Sequence, residues 1–251
     1  MTPPAPWQRT LRPLVTSSDA TMRMFCFPPA GAGASTYAAW APYLPPTLEL
    51  WAVQLPGRED RLDEEPLTSI SSAARTVALS LQWLHDQPYL MFGHSLGALL
   101  AYEIIRLLER QGTPTPHHLI ASGCAAPSAH CPKEIALDTD IEVREEAQRL
   151  GMSPQLLTGN DHSQQLLAVL RADLRMFYSY VSRPDSAITC PITGCLGASD
   201  PHVSATENDA WAKHTSRYLT THKFPGQHDY YQDQWASLAR VVEDSMRRAV
   251  Q

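Results

Sequence analysis

The residues that most restrict what this chain can fold into are Tyr89 to Gly112, YLMFGHSLGALLAYEIIRLLERQG. Tyr89, Leu90, Met91 and Phe92 form an uninterrupted apolar run, the pattern of a parallel strand covered on both faces. Gly93, His94, Ser95, Leu96 and Gly97 then match G-x-S-x-G. A strand that turns straight into a helix brings backbone against backbone, so side chains at the two glycine positions would clash. Ser95 is left at the tip of the turn. From Leu96 to Arg110 apolar residues recur at helical spacing, Arg106 and Arg110 fall near the C-terminal end of the helix dipole, and Gly112 supplies a stop.

A chain of 251 residues with 43% apolar and 18% charged content has enough core for one α/β domain spanning residues 1–251. Its formal charge of −6 argues against nucleic acid or an anionic membrane as a partner. The first residues, MTPPAPWQRTLRPLVTSSD, carry prolines and charges where a signal peptide needs an apolar stretch, and no window approaches a membrane span. A cytoplasmic monomer is expected. Cys26, Cys124, Cys131, Cys190 and Cys195 fit reduced thiols better than a disulfide framework. Cys124, His130 and Cys131 lack a second ligand pair at zinc spacing, so no metal is expected.

Along the chain, residues 1 to about 21 read as a loose lead-in, with Trp7 and Leu11 as candidates to pack on the body. Met22 to Phe27 is a strand that ends in PPAGAGAS, where small residues let a ligand approach the backbone. Gly31 and Gly33 lack the third glycine and acidic residue of a dinucleotide fingerprint; an oxyanion site facing Ser95 is the better reading of this loop. A short amphipathic helix over Tyr37 to Leu44, a strand over Leu50 to Leu55 and a solvated charge run REDRLDEEP follow, with no functional role favoured for Arg58 or Arg61. Ile70 to His85 reads as a helix, and His117 to Ser122 as a strand with His117 and His118 at its edge.

From about 129 to 180 the alternation of strand and helix breaks. EVREEAQRLG, PQLLTG and QQLLAVLRADLRMFYSY read as helical, and long insertions at a site are often functional, so a lid is expected here, with a structural helical hairpin over a sheet edge as the alternative. Strands return at Ile188 to Leu196 and Arg217 to Phe224, separated by a helix over Ala205 to His214 and followed by a closing helix from Gln232 to Val250. The fold class is α/β, a mostly parallel sheet flanked by helices.

Serine becomes a nucleophile only when a base takes its proton, and the base needs an acid to fix its tautomer. In α/β hydrolases these follow in the order Ser, Asp or Glu, His, from loops after late strands. Asp200, after the strand ending at Leu196, and His228, in the loop after Phe224, meet both conditions. His214 falls on a helix, His222 inside a strand, Asp185 before its strand, and Asp229 adjoins His228 too closely to reach its Nδ1.

FCFPPAGAGAS, QLPGRE, GHSLGA, RADL, LGASD and FPGQH occur in that order, and with them the chain resembles the stand-alone type II thioesterases of polyketide and nonribosomal peptide synthesis from about Trp7 onward. The resemblance implies an α/β-hydrolase fold with a helical lid, a triad of Ser95, Asp200 and His228, and an oxyanion hole from the backbone N–H groups of Ala30 and Leu96. It further implies hydrolysis of acyl groups from the phosphopantetheine thiol of acyl or peptidyl carrier proteins, with no cofactor of the enzyme's own. The run Gly226, Gln227, His228, Asp229, Tyr230 and Tyr231 departs from the family's usual Gly-Gly-His, which bears on the loop and on the histidine's pKa. A small-ester carboxylesterase would use the same three residues, and a catalytically silent scaffold subunit is the alternative of another class.

Overall fold

The computed structural model of the chain describes residues 5–84, 86–152, 161–183 and 187–249. Among them, β1 (Leu11–Val15), β2 (Met22–Phe27), β3 (Leu48–Val53), β4 (Tyr89–His94), β5 (His118–Ser122), β6 (Ile192–Gly197) and β7 (Leu219–Phe224) form one sheet in the order β1-β3-β2-β4-β5-β6-β7. All neighbours pair parallel except β1 and β3. Every residue of β2, β3 and β4 is buried, which is why these strands read as continuous apolar runs rather than alternating ones.

The helices are α1 (Pro6–Thr10), α2 (Ile70–Leu81), α3 (Leu96–Gln111), α4 (Asp140–Arg149), α5 (Asp161–Tyr178), α6 (Ala205–Asp209) and α7 (Trp235–Ala249). Side chains alternate between the two faces of the sheet. Phe25, Phe27 and Met91 join the core under α2 and α3, whereas Met24, Cys26, Leu90 and Phe92 join the core under α7 with Trp40 and Trp235. Gly112 ends α3 at φ 65°, the left-handed cap its sequence position promised.

Within the N-terminal lead-in, residues 6–15 are not loose. β1 pairs antiparallel with the edge of β3, and Leu11 is fully buried. Pro13 concealed this strand, because proline is tolerated only on an edge, and here the register shifts between Pro13 and Val15. The expected helix over Tyr37 to Leu44 is a 3-10 helix, Ala34–Tyr43. Pro42 lacks the N–H an α-helix needs and clashes with the carbonyl four residues back. The charge run is not wholly solvated either: Arg58 and Arg61 are buried.

Between β5 and β6 the described residues contain α4 and α5 and no strand of the main sheet. Leu167, Leu170, Leu174 and Tyr178 form a helical stripe on α5 that packs against Leu137, Val143 and Ala147, giving this segment a small core of its own. Thr139 caps α4 through a reciprocal pair of hydrogen bonds with Glu142. The expected helix PQLLTG, and Asp185, lie outside the described residues. Among the described residues no helix is long and apolar enough to cross a membrane.

Candidate active site

Ser95 stands between β4 and α3 at φ 53° and ψ −122°. A non-glycine residue there costs about 1–3 kcal/mol and persists only where its surroundings enforce it. The enforcement is steric. A Cβ at Gly93 would lie 2.4 Å from the Gly97 carbonyl oxygen, so only glycine lets the strand pass so close to the helix. The Ser95 N–H donates to the Ser122 carbonyl of β5 at 2.8 Å, which pins the turn to the neighbouring strand.

Asp200 follows β6 and His228 follows β7, adjacent parallel strands whose C-terminal ends face the same side. Gly197 lets the two loops meet: a Cβ there would lie 2.1 Å from the Gln227 carbonyl oxygen. His228 Nδ1 is 2.9 Å from Asp200 Oδ2, and Asp200 Oδ1 accepts from the N–H groups of His202 at 2.8 Å and Val203 at 3.2 Å. The Asp200 side chain is fully buried and that of His228 is 16% exposed. Burial alone would raise the Asp200 pKa. The His228 ring and the two backbone donors outweigh it and hold the carboxyl below its ordinary value. Asp200 therefore stays an acceptor and fixes the proton of His228 on Nδ1, leaving Nε2 as the free base.

Ser95, Ala30, Leu96 and His228 all line one cavity of about 1060 Å³. No hydrogen bond joins Ser95 Oγ to the His228 ring; such bonds are often long until substrate is bound. Among the described residues no protein acceptor takes the N–H of Ala30 or Leu96. The departure after Gly226 is accommodated: the Gln227 side chain is exposed, and Asp229 lines the cavity beside His228. Desolvation raises the Asp229 pKa, the His228 ring opposes this and the Asp200 charge reinforces it. His214, a rival base, is fully engaged by Tyr102 Oη at 3.0 Å and the Ser128 N–H at 3.0 Å. Among the described residues no three His, Cys, Asp or Glu side chains converge as a metal site would require.

Two groups around this site leave no signal in the sequence that joins their members. His94, fully buried, bonds through Nδ1 to Ser122 Oγ at 2.9 Å, and Ser122 Oγ is 2.6 Å from Tyr230 Oη. Its ring lies 5.0 Å from that of His228. The other group is Gln54, Arg58, Glu59 and Asp173, which hold the loop carrying Ala30. QLPGRE and RADL were visible as motifs, but only the fold shows them meeting.

A parallel sheet with a serine held at positive φ between a central strand and its helix, and an Asp–His pair on the next loops, defines an α/β hydrolase. The Thioesterase domain family profile matches residues 22–246, and the chain belongs to that family. It is 35% identical over 214 residues to the gramicidin S biosynthesis protein GrsT of Aneurinibacillus migulanus, covering 84% of each chain. It is 32% identical over 242 residues to the thioesterase PikA5 of Streptomyces venezuelae, covering 96% of this chain and 85% of that one. The solved structure of the type II thioesterase BorB from the borrelidin biosynthetic cluster superposes with a TM-score of 0.85 at 31% identity, covering 94% of this chain and 97% of that one.

Proposed function

We propose that this chain hydrolyses acyl groups from the phosphopantetheine thiol of acyl or peptidyl carrier proteins, clearing aberrant chains from a polyketide or nonribosomal peptide synthase. The observation that carries the reading is His228, oriented by the buried Asp200, on the wall of the cavity into which Ser95 is held by a strained turn. Ser95 Oγ attacks the thioester carbonyl while His228 Nε2 takes its proton and Asp200 stabilises the imidazolium. The tetrahedral oxyanion is received by the N–H groups of Ala30 and Leu96, each such donor worth roughly 3 kcal/mol of barrier. The C–S bond breaks, the thiolate leaves with the proton from His228, and Ser95 carries the acyl group as an ester. Water then attacks that ester, His228 accepts its proton and returns it to Ser95 Oγ, and the carboxylic acid departs.

The segment at about 129–180, whose described residues include α4 and α5, serves as the lid over this site, since Leu166, Leu174 and Phe177 of α5 and Met152 contribute apolar wall to the cavity. Relatives named for gramicidin S and borrelidin biosynthesis support the carrier-protein assignment. The phosphopantetheine arm belongs to the substrate, so the enzyme uses no cofactor of its own. The test compares hydrolysis of one short acyl group on an acyl carrier protein, on free pantetheine and in an oxygen ester. We expect kcat/KM to be highest on the carrier protein; a higher value on the oxygen ester would assign the chain to small-ester hydrolysis instead.

A further inference from the structure

The loop from Pro28 to Ser35 carries the Ala30 N–H, and side chains from elsewhere hold it at five polar groups. The Gly31 N–H donates to Asp173 Oδ2 at 2.8 Å, and the Ala32 carbonyl accepts from Arg58 Nη1 at 3.0 Å. The Ala34 N–H donates to Gln54 Oε1 at 2.8 Å. The Ser35 N–H and hydroxyl donate to Glu59 Oε1 at 3.0 and 2.7 Å. Gln54, Arg58 and Glu59 follow β3, whereas Asp173 projects from α5.

Arg58 and Asp173 close the arrangement. Two parallel bonds of 3.0 Å join the guanidinium to the carboxylate, with the Arg58 side chain 7% exposed and that of Asp173 fully buried. A buried ion pair is often no more stabilising than apolar side chains of the same volume, so stability alone gives no reason for one here. Its geometry does. The peptide unit joining Ala30 to Gly31 is planar and rigid, so an acceptor that fixes the Gly31 N–H also fixes the direction of the chain at Ala30. Arg58 fixes the same strip of backbone one residue further on. Gly31 sits at φ 76°, and a Cβ there would stand 3.3 Å from Leu170 Cδ1, so α5 also packs on this turn through its apolar side.

We propose that Arg58 and Asp173 are positioning residues for the oxyanion hole: they set the Ala30 N–H through Gly31 and Ala32, and so make reactive geometry depend on α5 being docked. The inference rests on the roles given above to Ser95, Ala30 and Leu96. It extends them to a coupling between the lid helix and the chemical step. A lid that only covers substrate would alter binding when loosened; a lid that carries Asp173 alters the transition state.

The experiment replaces the pair by apolar side chains, Arg58→Met with Asp173→Leu, which removes both charges and leaves neither one buried alone. Two inhibitors of the same acyl chain are compared, a trifluoromethyl ketone, whose adduct with Ser95 bears an oxyanion, and a methyl ketone that binds without one. On a p-nitrophenyl ester, which needs no carrier protein, kcat is expected to fall by about 10- to 100-fold with KM within about threefold of wild type. The trifluoromethyl preference is expected to fall by a similar factor. A folded double variant that keeps both kcat and the inhibitor preference overturns the proposal. A wild-type enzyme with no trifluoromethyl preference overturns the oxyanion assignment and the proposal with it. Should the double variant not fold, Arg58→Met with Asp173→Asn decides, since it buries no charge and removes the Arg58 bond to the Ala32 carbonyl: about a tenfold loss of preference supports the proposal and an unchanged preference refutes it.

Discussion

The first turn of α3 meets the end of β2 backbone to backbone: a Cβ at Gly97 would stand 2.0 Å from the Phe27 carbonyl oxygen and 2.7 Å from that of Pro28. Gly97 thus sets the spacing between the Ser95 turn and the loop that carries Ala30. Neither neighbour can yield as a flexible side chain would. Gly97→Ala is expected to lower stability by about 2 kcal/mol or more and to reduce kcat, because the Ser95 turn and the Ala30 loop are pushed apart. Urea unfolding and steady-state kinetics on the same preparation check both effects.

The chain His94–Ser122–Tyr230 offers a graded test. Tyr230→Phe removes one hydroxyl and leaves Ser122 still bonded to His94, at a cost of about 1 kcal/mol. Ser122→Ala strips His94 Nδ1 of its partner in a ring whose Nε2, among the described residues, already has none. That loss is expected to reach about 2–3 kcal/mol, so denaturant midpoints should rank wild type above Tyr230→Phe and Tyr230→Phe above Ser122→Ala.

Burial pushes His118 and His214 down to about 4, with the Arg248 charge adding to the effect at His118 and those of Arg106 and Lys213 at His214. Both rings are neutral in the folded protein at a pH where the unfolded chain, with an ordinary histidine pKa near 6.5, already binds protons. Stability therefore falls as pH drops from about 6.5 towards 4, by about 1.4 kcal/mol per pH unit for each ring, and the slope vanishes once the folded rings also protonate. His118→Gln keeps a partner for Thr193 Oγ1 and is expected to flatten the profile by one proton. Urea midpoints measured from pH 4 to 8 read this directly.

Phe177 contributes to the cavity wall and packs edge-on against His130, with ring centroids 4.8 Å apart. Phe177→Ala is expected to lengthen the acyl chain the cavity prefers, changing the ratio of kcat/KM between long and short chains by roughly tenfold. Competition between two acyl groups in one reaction gives that ratio without separate rate constants.

Local order carried the sheet and the Ser95 turn into plain view. Met22 to Phe27 and Tyr89 to Phe92 are apolar throughout because both faces are covered, and Gly93 and Gly97 are small because backbones touch. Asp200 and His228 fall after late strands in the sequence, and the fold brings their side chains to 2.9 Å of each other. β1 was hidden by Pro13, whose missing N–H matters less on an edge than in the middle of a sheet. Arg58 was hidden for another reason. In sequence it belongs to a run of mixed charges, and what buries it is a carboxylate 115 residues away on α5. A long-range polar partner leaves no periodicity behind, so the groups that hold the Ala30 loop emerge only from the fold.

The proposed mechanism has Ser95 take the acyl group from a carrier-bound thioester. The direct measurement mixes the protein with a butyryl acyl carrier protein, quenches within the first turnover and determines by peptide mass spectrometry which residue has gained the acyl mass. Butyrylation of Ser95 with release of the free carrier thiol, absent from Ser95→Ala, is the predicted result. Acylation of another residue, or hydrolysis by Ser95→Ala at the wild-type rate, would contradict it.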